Sequence, residues 1–214
     1  VIGRLRQVLP TECVVLSPGS LVECSTDATD LRMELPLLVV APATGRQVQT
    51  VVRLAGEMGF ALAPRGGGTG LTGGAVPTVR RTVILSLSRL KGITAIDPET
   101  KILCAEAGVL TLNAIKAAEE QGLLFTVDPA SKAGSSIGGN ISENSGGPFA
   151  FEYGVTLDNI LSFKMVAPDG EMIEVRRKDH PRRKIFAADT VVFEVVGENG
   201  AVKETITLGG DQIR

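Results

Sequence analysis

Six of the nine residues from Gly66 to Gly74 are glycine, within the run Pro64-Arg65-Gly66-Gly67-Gly68-Thr69-Gly70-Leu71-Thr72-Gly73-Gly74. Glycine has no Cβ to block close approach, so consecutive glycines let several backbone amides turn inward on one point. Such a nest of N–H groups suits an anion, and a pyrophosphate carries two negative charges. Thr69 and Thr72 offer hydroxyl donors beside it, and Arg65 a countercharge. A mobile hinge is the bland alternative, but hinges seldom carry Pro-Arg on one side and a strand directly before them.

Two better-known phosphate loops fail on context. Gly68-Thr69-Gly70-Leu71-Thr72-Gly73 matches the dinucleotide fingerprint Gly-x-Gly-x-x-Gly, but any window this rich in glycine does. That motif opens a helix, whereas Ala75-Val76-Pro77 and then another apolar run follow here. No Gly-Lys-Ser/Thr stretch exists for a P-loop.

The flanking patterns define the scaffold. Leu37–Val40 reads as a strand ended by Pro42. Thr44-Gly45-Arg46-Gln47 fits a capping box, and Val48, Val51, Val52, Ala55 and Met58 recur at helical spacing up to Gly59. Phe60–Ala63 and Val83–Leu87 are further strands, giving an α/β unit with parallel pairing across the helix. The second half differs. Ile93–Asp97 and Ile102–Glu106 flank Pro98-Glu99-Thr100, and Leu112, Ile115 and Ala118 mark a helix that stops at Gly122. Leu161–Ala167 and Glu171–Val175 flank Pro168-Asp169-Gly170, and Val191–Val196 and Ala201–Leu208 flank Gly197-Glu198-Asn199-Gly200. The expected class is α+β in two lobes: an N-terminal segment over 1–35, a small α/β lobe over 36–90, and a larger antiparallel sheet lobe with helices over 91–214.

Composition narrows the function. Charged residues make up 21% and the net charge is −2, so nothing global argues for nucleic acid. No apolar stretch is long enough to span a bilayer. Cys13, Cys24 and Cys104 are odd in number and widely spaced among apolar neighbours, which points to buried reduced thiols in a cytoplasmic protein rather than to a metal site.

A second loop, Asp128–Pro148, is long, polar and dense in hydroxyls and amides. A loop of this length inside a compact domain is usually functional, with a structural Ω-loop as the alternative. Two such loops suit a ligand long enough to lie between the lobes.

At this point the chain resembles the FAD-binding domain of the vanillyl-alcohol-oxidase (PCMH) type of flavoenzyme. The similarity is greatest to the branch that contains glycolate oxidase, D-lactate dehydrogenase and D-2-hydroxyglutarate dehydrogenase. The stretches that carry it are Cys24-Ser25-Thr26-Asp27-Ala28-Thr29, Pro64–Gly74, Ser136–Pro148, Glu152-Tyr153-Gly154-Val155-Thr156 and Val166-Ala167-Pro168-Asp169-Gly170. They stand in the family's order and cover about residues 21–175.

The resemblance implies an extended FAD, with its pyrophosphate on Gly66, Gly67, Gly68, Thr69, Gly70 and Leu71. It implies that Pro129, Ser135, Ser136, Gly138, Gly139, Asn140 and Asn144 line the flavin and its ribityl chain, and that Tyr153 and Gly154 close the site. Pro64, Arg65, Gly74 and Gly146 complete the implied cofactor-binding set. Some relatives tether FAD through a histidine in the first loop; this loop has none, so the cofactor is expected to be non-covalent. The implied reaction is oxidation of a small 2-hydroxy acid, with electrons passing to a quinone, cytochrome or iron–sulfur partner. The implied base and carboxylate-binding residues belong to a substrate-cap domain with no counterpart here, so no catalytic residue is assigned. By the same resemblance a helix and a Gly-Ser-Glu-Gly-Thr-type segment should follow the Pro-Asp-Gly hairpin; Ile185–Leu208 reads instead as two hairpin strands, so the second lobe is expected to be truncated. His180, in the basic run Arg176–Lys184, reads as a solvated loop residue and the run as a solvated charge cluster. The expected location is cytoplasmic, with peripheral attachment at the inner membrane face left open by that run. A flavin-binding module without turnover and a sugar or aldonolactone oxidase are the competing functions.

Overall fold

The computed structural model describes residues 1–29 and 34–213, so part of the expected N-terminal segment lies outside the described residues. The backbone groups into two units, Val1–Phe125 with Ala130–Glu143, and Thr126–Pro129 with Asn144–Arg214.

The first unit runs α1 (Ile2–Val8), a 3-10 turn (Thr11–Cys13), β1 (Val14–Val15), α2 (Pro18–Glu23), β2 (Leu38–Val40), α3 (Gly45–Met58), β3 (Ala61–Arg65) and β4 (Thr82–Ser86). The hairpin β5 (Ile93–Asp97) and β6 (Ile102–Ala105) follows, then α4 (Thr111–Glu119) and α5 (Ile137–Glu143). The main sheet has the order β1-β2-β4-β3, with β2, β4 and β3 parallel and β1 antiparallel at the edge. Central β4 is buried from Thr82 to Leu85, as a strand covered on both faces must be. Leu38, Val40, Val83 and Ile84 have no exposed surface.

Helix α3 forms as its sequence dictates. The Thr44 hydroxyl accepts from the Gln47 amide at 3.2 Å, and Gly59 ends the helix at φ 63°. The Gln47 side chain reaches one residue further back than a capping box requires, accepting from the Ala43 amide at 2.7 Å. Val48, Val51, Leu54 and Ala55 form its buried face. Pro64 and Arg65 still pair with Leu85 and Ser86, so β3 delivers the chain straight into the glycine run.

The units divide later than residue 90. Residues 1–29 join the first unit, because Leu5 is fully buried and β1 extends the main sheet. The β5–β6 hairpin and α4 join it too. A Cβ on Gly108 would overlap the Leu87 carbonyl oxygen, and the Gly108 amide donates to Leu90 at 2.7 Å. Thr111 and Leu112 amides in turn donate to Ser135 and Lys132, tying α4 to the segment that precedes α5.

The second unit comprises α6 (Ala150–Tyr153), α7 (Thr156–Asn159), β7 (Ser162–Val166), β8 (Met172–Lys178), β9 (Thr190–Val196), β10 (Val202–Gly209) and α8 (Gly210–Ile213). Its sheet is antiparallel throughout, in the order β10-β9-β8-β7, as the hairpin-like patterns require. Asp169 and Asn199 each accept from the backbone two residues on, setting the turns.

Two expectations fail here. Asp128–Pro148 is not loop throughout, since Ile137–Glu143 is helical. The Gly138-Gly139 pair, each about 1 kcal/mol poorer than alanine in a helix, hides it from pattern reading. Close packing holds it: a Cβ on Gly138 would come within 2.8 Å of the Ala107 side chain. Of the three free cysteines only Cys13 is buried; Cys24 is half-buried, and Cys104 is exposed on β6.

Candidate cofactor site

The glycine loop has an arrangement that sequence alone does not show. None of the amides from Gly66 to Leu71 donates a hydrogen bond within the protein among the described residues. Leu71 is 75% exposed at the loop tip. The glycines fall into two kinds. A Cβ on Gly66 would strike the Ser136 hydroxyl, one on Gly67 the Gly134 carbonyl, and Gly68, at φ 67°, lies under the Arg65 guanidinium. Backbone packing requires glycine at Gly67, the left-handed φ favours it at Gly68, and at Gly66 the Ser136 hydroxyl would have to give way. At Gly70 and Gly74 a Cβ would meet nothing closer than 3.4 Å, neither has a positive φ, and Gly70 looks only onto the Glu143 side chain. The protein's own packing does not need glycine there, and a side-chain-free backbone leaves room for a ligand to come against it. Free amides in a cradle that a Cβ would fill fit a pyrophosphate.

Arg65 does not serve the loop as an open countercharge. Its guanidinium donates to the carbonyls of Thr26 at 2.8 Å, Ala75 at 3.3 Å and Glu23 at 3.4 Å, clamping the Cys24–Thr29 segment to both ends of the loop. Asp27 is buried in that segment and accepts from the Thr29 amide at 2.9 Å and from the Thr29 hydroxyl. Burial opposes its ionisation. The Thr29 bonds, the Gly73 amide and the Arg65 charge outweigh burial and hold the carboxyl below its ordinary 3.8. Burial likewise pushes the Cys24 thiol above 9.0, against the pull of Arg65.

The second segment is equally committed. Ser135 and Asn140 are buried around Thr111, whose hydroxyl lies 2.8 Å from the Ser135 hydroxyl and 2.8 Å from the Asn140 amide nitrogen. These two side chains brace the backbone through Thr111, while the Asn140 carbonyl oxygen has no partner among the described residues. Ser136 lies beneath Gly66, with its hydroxyl 3.3 Å from the Gly139 amide. Gly138 and Gly139 sit in the first turn of α5. Thr111 is the residue that sequence reading missed; only its place after Gly108-Val109-Leu110, opposite Ser135, gives it meaning.

Pro129, Asn144, Gly146, Tyr153 and Gly154 fall in the second unit. Asn144 takes φ 52° and accepts from the Leu157 amide at 2.9 Å. A Cβ on Gly146 would press on Val155, and one on Gly154, at φ 80°, would overlap the Asp158 carboxylate. Tyr153 is 39% exposed. Asp158, absent from the expected set, is the anchor of this unit: buried, it accepts from the Val155 amide at 2.8 Å and the Ile185 amide at 2.7 Å.

The basic run is not a uniformly solvated cluster. Arg176 pairs with Glu194 at 2.8 Å and Arg183 with Asp189 at 2.7 Å, while Arg177 is half-buried and donates to the Leu157 carbonyl. His180 is not a free loop residue either. Its Nδ1 accepts from the Arg182 amide at 2.7 Å and its Nε2 is buried. Burial, with the Arg177 charge, lowers its pKa from 6.5, against smaller opposing pulls from the backbone. The antiparallel sheet sets Arg176 opposite Glu194, a pairing that charge patterning along the chain does not reveal.

A parallel-stranded lobe that feeds a glycine cradle, with a second antiparallel sheet unit, is the architecture of a flavin-binding domain. A family model described as FAD binding domain matches residues 36–176, and the chain belongs to that family. FAD is the cofactor of this family and of this chain. Among curated relatives, the glycolate oxidase subunit GlcD of Bacillus subtilis is 37% identical over 154 residues, covering 72% of this chain and 33% of that protein. The D-2-hydroxyglutarate dehydrogenase of Xanthomonas citri is 36% identical over 171 residues, covering 80% and 36%. The chain thus spans about a third of the length of these relatives. Among solved structures, p-cresol methylhydroxylase with substrate bound superposes with a TM-score of 0.70 at 23% identity, over 81% of this chain and 34% of that one. An alkyldihydroxyacetonephosphate synthase gives 0.71 at 24% identity, over 78% and 36%. At those identities the likeness concerns the fold. No helix among the described residues is long and apolar enough to cross a membrane.

Proposed function

We propose that the chain is the FAD-binding domain of a dehydrogenase that oxidises a small 2-hydroxy acid of the glycolate or D-lactate kind. The observation that carries the reading is the row of free amides from Gly66 to Leu71, in front of two glycines that the protein's own packing does not require. The names of the relatives, a glycolate oxidase component and dehydrogenases of D-2-hydroxyglutarate and D-lactate, support the substrate class.

On this reading the amides of Gly66–Leu71 hold the pyrophosphate. Ser136, Gly138 and Gly139 present a side-chain-poor surface to the rest of the cofactor, and Ser135 and Asn140 act through Thr111 by fixing that surface. Pro129, Asn144, Gly146, Tyr153 and Gly154 are further cofactor-binding residues on this reading. FAD supplies a two-electron acceptor when bound; the protein supplies position and electrostatics. The first loop carries no histidine, so the flavin is held without a covalent bond and leaves on denaturation. Electrons pass on to a quinone, cytochrome or iron–sulfur partner, in a cytoplasmic protein or one attached at the inner membrane face.

One observation favours the second reading, a flavin-binding module without turnover. His180, the sole histidine, is engaged through Nδ1 and buried at Nε2, so it offers no general base. The test is to mix the purified chain with FAD, desalt it, and record the visible flavin spectrum before and after anaerobic addition of glycolate or D-lactate. Retained flavin bands that either acid bleaches support the dehydrogenase. Retained bands that neither acid bleaches support the module. A colourless protein overturns both.

A further inference from the structure

Helix α5 touches the glycine loop at both ends. Its seven residues span about 10 Å. Just before it, Ser136 lies under Gly66, and the Gly139 Cα is 3.9 Å from where a Gly66 Cβ would stand. At its last residue, Glu143 accepts from the Thr72 hydroxyl, which is 3.0 Å from each carboxylate oxygen. That bond joins positions 71 residues apart. The helix is itself anchored, with Gly138 against Ala107 and Asn140 bonded to Thr111. One braced element therefore grips the loop at its start and near its end, leaving the amides between them free.

Glu143 is an odd residue to find there. Its carboxylate lies 3.7 Å from the Cβ position of Gly70 and 3.4 Å from that of Gly74, and it pairs with no cation among the described residues. An unneutralised negative charge beside an anion cradle opposes the anion.

We propose that Glu143 is a positioning residue for the cofactor, a latch on Thr72 that presets the glycine loop while its charge limits how tightly the pyrophosphate is held. This rests on the FAD reading above. Loop order and charge are separable, because Thr72→Val breaks the latch and keeps the charge, whereas Glu143→Gln keeps an acceptor for Thr72 and removes the charge.

The experiment measures FAD affinity by flavin fluorescence for the chain and for Thr72→Val, Thr72→Ser and Glu143→Gln, at low and high salt. Amide hydrogen exchange over residues 66–74 is followed in the flavin-free proteins. Thr72→Val is expected to weaken FAD binding about three- to tenfold, the worth of an exposed bond to a charged group, and to speed exchange across the loop. Thr72→Ser restores both. Glu143→Gln is expected to tighten binding about three- to tenfold at low salt, with the gain shrinking as salt rises. Unchanged exchange and affinity in Thr72→Val would overturn the latch, and weaker binding by Glu143→Gln would overturn the charge effect. No FAD binding by the unaltered chain overturns the cofactor reading itself, and the exchange measurement then still decides the latch.

Discussion

Two neighbouring glycines should respond in opposite ways to the same substitution. In Gly67→Ala the new Cβ overlaps the Gly134 carbonyl, which is backbone and cannot rotate aside. Relief needs a backbone shift where the loop meets the segment before α5, so the flavin-free protein loses about 1–3 kcal/mol. In Gly70→Ala the Cβ meets only the Glu143 side chain, 3.7 Å away, and φ lies outside the left-handed region. The folded chain accommodates it without strain, and the lost freedom of the unfolded chain adds about 0.4–1 kcal/mol of stability. Cofactor binding reverses the order of tolerance. The Gly70 methyl fills the open flank of the cradle in front of Glu143 and holds the pyrophosphate off the amides. Losing one charge-assisted bond of about 1.5–3 kcal/mol weakens FAD by about one to two orders of magnitude. The assays are thermal unfolding of the flavin-free variants and a fluorescence titration with FAD. If Gly70→Ala unfolds as early as Gly67→Ala, or binds FAD as the unaltered chain does, the division of the glycines into packing and ligand positions is wrong.

Other residues carry separate expectations. Asp158→Ala removes two bonds to backbone amides, one of them the amide of buried Ile185, and should destabilise the second unit by about 2–4 kcal/mol in urea; a loss under about 0.5 kcal/mol refutes the anchor role. The folded His180 pKa is depressed, so below 6.5 the unfolded chain takes up the proton first. Its contribution is complete above pH 6.5 and is lost as pH falls through the folded value. His180→Gln should flatten unfolding midpoints over that window, and identical pH profiles would count against the burial. Asp27 is depressed below 3.8, so its contribution stands above that value and disappears as pH falls through the folded pKa. Asp27→Asn should shrink the acid-end loss of stability, read by circular dichroism.

The elements that were legible in the chain are those with local causes. Helix α3 has its cap at Thr44, its apolar period and its terminating glycine all within residues 44–59. The hairpins of the second unit are marked by Pro168-Asp169-Gly170 and Gly197-Glu198-Asn199-Gly200, whose side chains and glycines set the turn locally. Helix α5 was not legible, because two glycines lower its propensity and residues far along the chain, such as Ala107 and Thr111, hold it in place. The same holds for side-chain direction. Arg65 is a cation next to an anion cradle in the sequence, yet three carbonyls brought in from elsewhere take its donors.

By itself, then, the sequence determined that a strand would run into a side-chain-free stretch of backbone able to gather amides around an anion, because φ/ψ freedom and the missing Cβ are properties of the residues themselves. Which glycines the chain's own packing requires, that Ser135 and Asn140 turn inward on Thr111, and that Glu143 reaches Thr72 were decided only by the tertiary structure. Those outcomes depend on contacts between segments tens of residues apart, and no local preference encodes such contacts.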